Sequence, residues 1–406
     1  MPFDVKKILI ACCLLCLLVD YSSAADDKMK AIISVLEPAY CADVKGDTPI
    51  KMSAPGFNKL TVKTWKADGR FGTAAAVADV TLDTDGAGSF IFKADEFPHG
   101  PLTLTISGEN DTVKDNCYLQ LYNRGGVDAK AGIPEADPPA ANGLQLVYSD
   151  DFNEALSIGS DASSRYYDHK PPSGTTDFSS IPFVSHDKPN TPFAQVDHYL
   201  RIRCSSKAKS AGLISSVKND GSGFKVPVPA YFECRFIGPN APGSWPAFWV
   251  MTDYLTDANT RGGGHTPCDE LDIIEAYGGE GRKAPNAFDK YMISAHCWNQ
   301  GDVGVATAKA AVSQLKRPIE MSKFNIPSTW FETLHTYGCL VTETETVYYC
   351  DDMEVGRHKT LPLCKEQPLF FMINLATGGG WPVDLSRYGG TIDMYVDYVR
   401  VYGNKK

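Results

Sequence analysis

Apolar runs in this 406-residue chain are short and mostly alternate with polar residues, and only Val303 to Lys316 looks helical, through its alanine content. Leu60, Val62 and Thr64 oppose Thr61, Lys63 and Trp65, while Leu102, Leu104 and Ile106 alternate with Thr103 and Thr105. Tyr231 to Phe236, Phe370 to Leu375 and Tyr395 to Tyr402 are further strand-like runs. A period of two sends successive side chains to opposite faces of a strand. Strands without regular intervening helices argue against a parallel α/β sheet and for sandwiches. The chain is therefore expected to be all-β. Asp85-Gly86, between Val80-Thr81-Leu82 and Phe90-Ile91-Phe92, reads as a hairpin turn.

Val127 to Asn142 is rich in Pro and Ala, has no apolar period, and reads as a semi-rigid linker. It divides a small accessory domain at 26–126, a β-sandwich of immunoglobulin-like size, from a larger domain at 143–406. Length and linker predict that the first segment folds on its own, and it carries no catalytic constellation. Residues 1–25 have the order of a secretory signal peptide: Lys6 and Lys7, an apolar run from Ile8 to Val19, then Ser22, Ser23, Ala24 and Ala25. That run is shorter than the roughly 20 residues that span a bilayer. A secreted or periplasmic protein with no membrane span is expected.

Charge excludes another class. Lys and Arg number 39 against 49 Asp and Glu, a net charge of -10 with no basic run, which is a poor start for gripping phosphate backbones. No nucleic-acid partner is expected. Of twelve cysteines, Cys12, Cys13 and Cys16 lie in the signal and nine remain, an odd number that leaves at least one outside any intramolecular disulfide framework. Cys41 and Cys117 are natural partners in the first domain, and Cys339 and Cys350 flank a hairpin and could face each other.

Chemistry concentrates in Asp269-Glu270-Leu271-Asp272-Ile273-Ile274-Glu275. On a regular strand Glu270 and Asp272 share a face and Glu275 points away. One bulge at Ile273-Ile274 brings Glu275 back to that face. Three crowded carboxylates without a neighbouring Lys or Arg force one to titrate high. An acid beside an ionised carboxylate is the apparatus of glycoside cleavage. A solvated acidic strand is the bland alternative, but Leu271 and Ile273 make the opposite face apolar. Trp245 and Trp249 share one face of Trp245-Pro246-Ala247-Phe248-Trp249-Val250, and indoles stack on the apolar faces of sugars. Trp298 and Trp381 are further candidates, and Trp330 is the weakest. There is no G-x-S-x-G elbow, no H-E-x-x-H and no regular zinc-ligand spacing.

The Glu270-x-Asp272-x-x-Glu275 segment resembles the bulged signature of family 16 glycoside hydrolases of the laminarinase and agarase type. Tyr148-Ser149-Asp150-Asp151-Phe152, Trp245 to Trp249, Asn374-Leu375-Ala376 with Gly378-Gly379-Gly380-Trp381-Pro382, and the closing strand Tyr395 to Tyr402 resemble family segments in the same order. The likeness covers about Gly143 to Tyr402. It implies a β-jelly-roll sandwich with a sugar cleft on its concave sheet. It implies Glu270 as nucleophile, Glu275 as general acid/base, and Asp272 between them. His296-Cys297-Trp298 resembles the downstream strand, whose histidine lies near the acid/base. Substrate contacts are expected from Trp245, Trp249, His296, Trp298 and Trp381.

The reading that results is a secreted, endo-acting, retaining hydrolase of β-1,3- or mixed β-1,3/1,4-glucan, acting as a monomer on a polysaccharide partner. The alternatives are a β-galactan hydrolase (agar, porphyran or carrageenan), a transglycosylase sharing the covalent intermediate, and a carbohydrate-binding protein that has lost catalysis. No cofactor is required. A structural calcium on the convex face, with Asp397 as the position to watch, is what the resemblance adds.

Overall fold

The computed structural model describes residues 33–67, 71–111, 113–127, 134–161, 163–172, 178–255, 266–279, 290–298 and 312–404. The signal segment and Val303 to Ala311 lie outside the described residues. Every regular element of more than four residues is a strand. Among the described residues no helix is long and apolar enough to cross a membrane.

The larger domain is a sandwich of two antiparallel sheets. One has six strands in the order Gly212–Ser215, Leu369–Thr377, Ser244–Thr252, Cys268–Glu275, Lys290–Trp298 and Val312–Glu320. The other has eight, built around the long closing strand Thr391–Gly403, which pairs with Ala230–Ile237, Tyr199–Ser205 and Gln145–Asp150. Between the sheets lie Phe248, Leu271, Ile274, Phe232, Phe236, Val396 and Val399, all fully buried in one core. Each such side chain contributes roughly 1.5–3 kcal/mol by leaving water. Leu369–Thr377 is buried at every residue, which is why it reads as an unbroken apolar run.

Residues 33–127 form two more sheets. One is three-stranded (Ser34–Glu37, Asp47–Ser53, Ala87–Lys93) and the other five-stranded (Ala42–Val44, Lys114–Asn123, Gly100–Glu109, Lys59–Lys66, Thr73–Thr81). They touch the larger sandwich extensively. Thr103 Oγ1 donates to Phe331 O at 2.7 Å, and Asp197 Oδ2 accepts from Tyr122 OH at 2.5 Å and Arg124 Nη1 at 2.8 Å. Tyr122, Val196, Tyr199, Ile237, Leu334 and Tyr395 form one buried cluster drawn from both. The second half of the linker segment is also engaged: Ala141 is buried with Tyr231 and Tyr402, and Tyr402 OH donates to Asp137 at 2.9 Å.

Three expectations are corrected. Asp85-Gly86 does not close a hairpin, because Thr73–Thr81 and Ala87–Lys93 enter different sheets. Gly86 at φ +78°, with Asp83 Oδ1 accepting from Asp85 N and Ala87 N, makes a local turn that carries the chain across the sandwich. Val312 to Lys316 is strand, not helix, because pairing with Lys290–Trp298 outweighs local propensity. No disulfide joins any of the nine cysteines from Cys41 to Cys364, and all nine are buried. Cys41 Sγ meets Gln120 Oε1 at 3.4 Å and Cys117 Sγ meets Tyr40 OH at 2.8 Å. Cys339 stands opposite Tyr348 and Cys350 opposite Tyr337, so the two thiols are diagonal and not facing. Each thiol serves as a small core residue.

Candidate active site

The strand Cys268–Glu275 runs between Ser244–Thr252 and Lys290–Trp298. Against Lys290–Trp298 the register is Glu270 to His296, Asp272 to Ser294 and then Glu275 to Met292, three residues on one strand against two on the other. Against Ser244–Thr252 it is Asp272 to Trp249 and Ile274 to Phe248. Ile273 is the extra residue on both sides, so the bulge stands where the spacing predicts it. Leu271 and Ile274 face the core, and Glu270, Asp272 and Glu275 share the opposite face.

These carboxylates are sheltered: Glu270 is 8 % exposed and Asp272 3 %. Glu275 is held by three donors, with Oε1 accepting from Tyr277 OH at 3.0 Å and Trp245 Nε1 at 3.2 Å, and Oε2 from Ser294 Oγ at 3.3 Å. Burial and then the charge of Glu270 push Glu275 above the usual carboxylate range, while these donors work the other way. Asp272 is pushed well up by burial, by Glu275 and by Glu270, against the charge of Lys170. Both carboxyls are thus biased toward the protonated form beside Glu270.

His296 is in register with Glu270, but its Nε2 lies 3.3 Å from Asp272 Oδ2. The expected neighbour was the acid/base; the histidine is placed at the middle carboxylate. Burial pushes His296 below the ordinary imidazole range, against the pull of Glu270. Trp245 stacks on Tyr277 at 5.3 Å between centroids, and Phe178 meets the edges of both Trp245 and Trp249. Trp249 donates Nε1 to Asn374 Oδ1 at 2.9 Å, and Asn374 Nδ2 donates to Trp245 O at 3.0 Å, which fixes the two indoles relative to each other. Trp298 is half-buried with its ring 5.8 Å from His296. Trp381 is half-buried at the end of the Gly378–Gly380 turn, and a Cβ on Gly379 would sit 2.9 Å from both Trp245 and Tyr277. Trp330 is fully buried core.

Sequence reasoning missed Tyr277, Ser294, Asn374 as an indole anchor, and Lys170, whose Nζ lies 5.1 Å from the Trp249 ring centre. Ser294 carried a signal: it is a hydroxyl between apolar residues, two positions before His296 on one strand face. Lys170 carried none, since nothing local ties it to the strand. Asp269, a fourth acid, faces the core and accepts from Cys364 N at 3.1 Å.

Among the described residues two groups have the donor atoms of a metal site. In Glu270, Asp272 and His296 the ligand atoms lie within 4.8 Å of one another, and His335, Cys350 and Asp351 form the second group. His335 Nδ1 is 2.6 Å from Asp351 and its Nε2 is 3.2 Å from Ser328 Oγ, so that histidine is held within the protein's own bonds. Asp397 does not fit a calcium. It is fully buried, ion-paired to Arg235, and 3.7 Å from His198 Nε2. Calcium takes six to eight oxygen ligands, whereas the Arg235 guanidinium and an imidazole occupy this place.

No family model matches the chain. The chain is 29 % identical over 278 residues to the endo-1,3-1,4-beta-glycanase EglC of Rhizobium meliloti, covering 64 % of this chain and 52 % of that protein. It is 24 % identical over 281 residues to a keratan-sulfate endo-1,4-beta-galactosidase of Sphingobacterium multivorum, covering 68 % and 58 %. The chain spans just over half the length of these two relatives. A solved structure of SCLam, a non-specific endo-beta-1,3(4)-glucanase from family GH16, is similar at 19 % identity and a TM-score of 0.45, over 68 % of this chain and 96 % of the other. The sequence similarity to an endo-1,3-1,4-beta-glycanase supports the resemblance to family 16 of the glycoside hydrolases. In this chain the carboxylate strip lies beside paired indoles fixed by Asn374.

Proposed function

We propose that the protein is an endo-acting, retaining hydrolase of β-1,3- or mixed β-1,3/1,4-glucan. The observation that carries this reading is the bulge at Ile273, which sets Glu270, Asp272 and Glu275 on one face beside Trp245 and Trp249. Glu270 attacks the anomeric carbon. Glu275, protonated by virtue of its burial and the neighbouring charge, gives its proton to the departing glycosidic oxygen. The leaving chain departs, Glu275 then takes a proton from water, and that water releases the sugar from Glu270. Asp272, with His296 against it, orients the pair. Trp245 and Trp249 form the sugar platform, with Trp298 and Trp381 at its borders.

The rest of the reading is organisational: a signal peptide at 1–25, an accessory domain at 26–126, a connecting segment at 127–142, a catalytic domain at 143–406, export, and action as a monomer without a cofactor. Proton NMR of the first product from laminarin tests the core of the proposal. A β-anomer is expected, and an initial α-anomer removes Glu270 as nucleophile. Viscosity that falls faster than reducing ends accumulate is expected of an endo mode. Galactan cleavage is the second reading, favoured by the galactosidase relative, and agarose in the same panel decides it.

A further inference from the structure

Beside the carboxylate strip lies a cavity of about 800 Å³, lined among others by Tyr167, Asp168, His169, Lys170, Ser185 and His186. That volume lies within the range of roughly 300–1,000 Å³ typical of small-ligand sites. Lys170 connects it to the active site, since its ammonium rests over the ring of Trp249, the residue in register with Asp272.

The polar groups of the cavity divide unevenly. Its carboxylates are already engaged. Asp168 accepts from His169 Nδ1 at 2.9 Å and from His186 N at 2.8 Å. Asp161 accepts from the backbone and hydroxyls of Ser163 and Ser164, and Asp187 is paired with Lys188 at 3.1 Å. Lys170, by contrast, has no carboxylate within ion-pair distance among the described residues. His169, its Nδ1 bonded to Asp168, lines the cavity together with His186, Ser160 and Ser185. What remains is a set of donors and a cation whose charge also reaches Asp272, with Tyr167 and Phe183 as aromatic wall. Part-buried donors around a cation favour an anion over a neutral hydroxyl.

We infer that this cavity is a subsite for an anionic substituent, a sulfate ester or a carboxylate, on the polysaccharide bound at the neighbouring carboxylates. The inference rests on the glycanase reading above and narrows its substrate to a chain that carries such groups. Net charge opposes polyanions at long range, but Lys170 acts at contact distance, where screening is weak.

Calorimetry on the full-length E270Q variant, which keeps the cavity intact, tests the inference without turnover. The ligands are a β-1,3-glucotetraose, its sulfated form and its carboxymethyl form. About tenfold tighter binding of a charged form is expected at low salt, as one charge-assisted hydrogen bond provides. The preference should vanish at about 1 M salt, where charges are screened within about 3 Å. The tighter of the two charged ligands identifies the substituent. Equal or weaker binding of both overturns the subsite. K170M in the same background should bring the ratio of charged to neutral affinity to about one, and an unchanged ratio overturns the inference. If the wild-type enzyme cleaves neither neutral nor charged β-glucan while E270Q prefers the charged ligand, the catalytic reading fails and the subsite stands. If the wild-type enzyme cleaves β-glucan while E270Q shows no charged preference, the catalytic reading stands and the subsite fails.

Discussion

At the scale of single residues, the site depends on one proton held in a negative field. Glu270→Gln and Glu275→Gln should each lower kcat by about 10²–10⁴-fold on laminarin with circular dichroism unchanged, and Asp272→Asn should cost less, because it orients and does not react. Ser294→Ala isolates one of the donors that hold Glu275 below where burial alone would put it. Its loss raises the pKa of Glu275, so the alkaline limb of the kcat/KM profile should move to higher pH; a limb that stays or falls contradicts the assignment. Stability follows the same sign. The pKa of Glu275 is raised in the fold, so its contribution is complete below the unfolded value of about 4 and is lost as pH rises through the folded value. Glu275→Gln should therefore melt above the parent at pH 8 and with it near pH 4 by calorimetry. Sequence made the three acids legible because their spacing breaks strand parity. It hid Tyr277 and Lys170, whose positions follow from a turn and from a loop some hundred residues upstream.

At the scale of elements, the bulge is the device that converts a buried strand into a catalytic one. It was readable because Leu271 and Ile273 make the opposite face apolar while Glu275 falls out of strand parity. Deleting Ile273 slips the rest of the strand by one residue and turns Glu275 toward the core. An uncompensated buried carboxylate costs about 3–5 kcal/mol, so the deletion should abolish activity and lower Tm together, unlike Glu275→Gln. Gly379 supports the facing turn at φ +60°, with Trp245 and Tyr277 where a side chain would begin. Gly379→Ala should raise KM more than it lowers kcat, because it displaces the indole and leaves the carboxylate strand alone. Elsewhere element reading failed for a definite reason. A turn such as Asp85-Gly86 is encoded locally, but whether its flanking strands pair is decided by distant strands. The alanines before Lys316 favour a helix only while no sheet edge is on offer.

At the scale of the molecule, residues 33–127 meet the larger sandwich through the polar positions of an alternating strand. Thr103 and Thr105 alternate with Leu102, Leu104 and Ile106, yet their hydroxyls bond to Phe331 O and Glu332 of the larger domain. A polar residue that faces a partner's backbone is indistinguishable in sequence from one that faces water. Asp197 is the hub of this seam. It joins His99, Tyr122 and Arg124 through one oxygen at 2.5–2.8 Å, and its left-handed φ of +53° suits an Asp or Asn. Burial alone would raise its pKa, but the bonds from Tyr122 and His99 and the charge of Arg124 hold it below the ordinary aspartate range. A depressed carboxylate contributes stability above the unfolded value of about 4 and loses it as pH falls through the folded one. The seam is therefore whole at neutral pH and weakens in strong acid. The full chain should melt in one cooperative transition at pH 7 and in two at pH 3. Asp197→Asn keeps the backbone and an acceptor but removes the charge, at a cost on the order of 1 kcal/mol for a hydrogen-bond hub of this exposure. It should split the transition already at pH 7, the larger sandwich melting close to the parent. If Asp197→Asn still melts as one unit at both pH values, the shared cluster of Tyr122, Tyr199 and Tyr395, and not the charge, is what couples the two sandwiches.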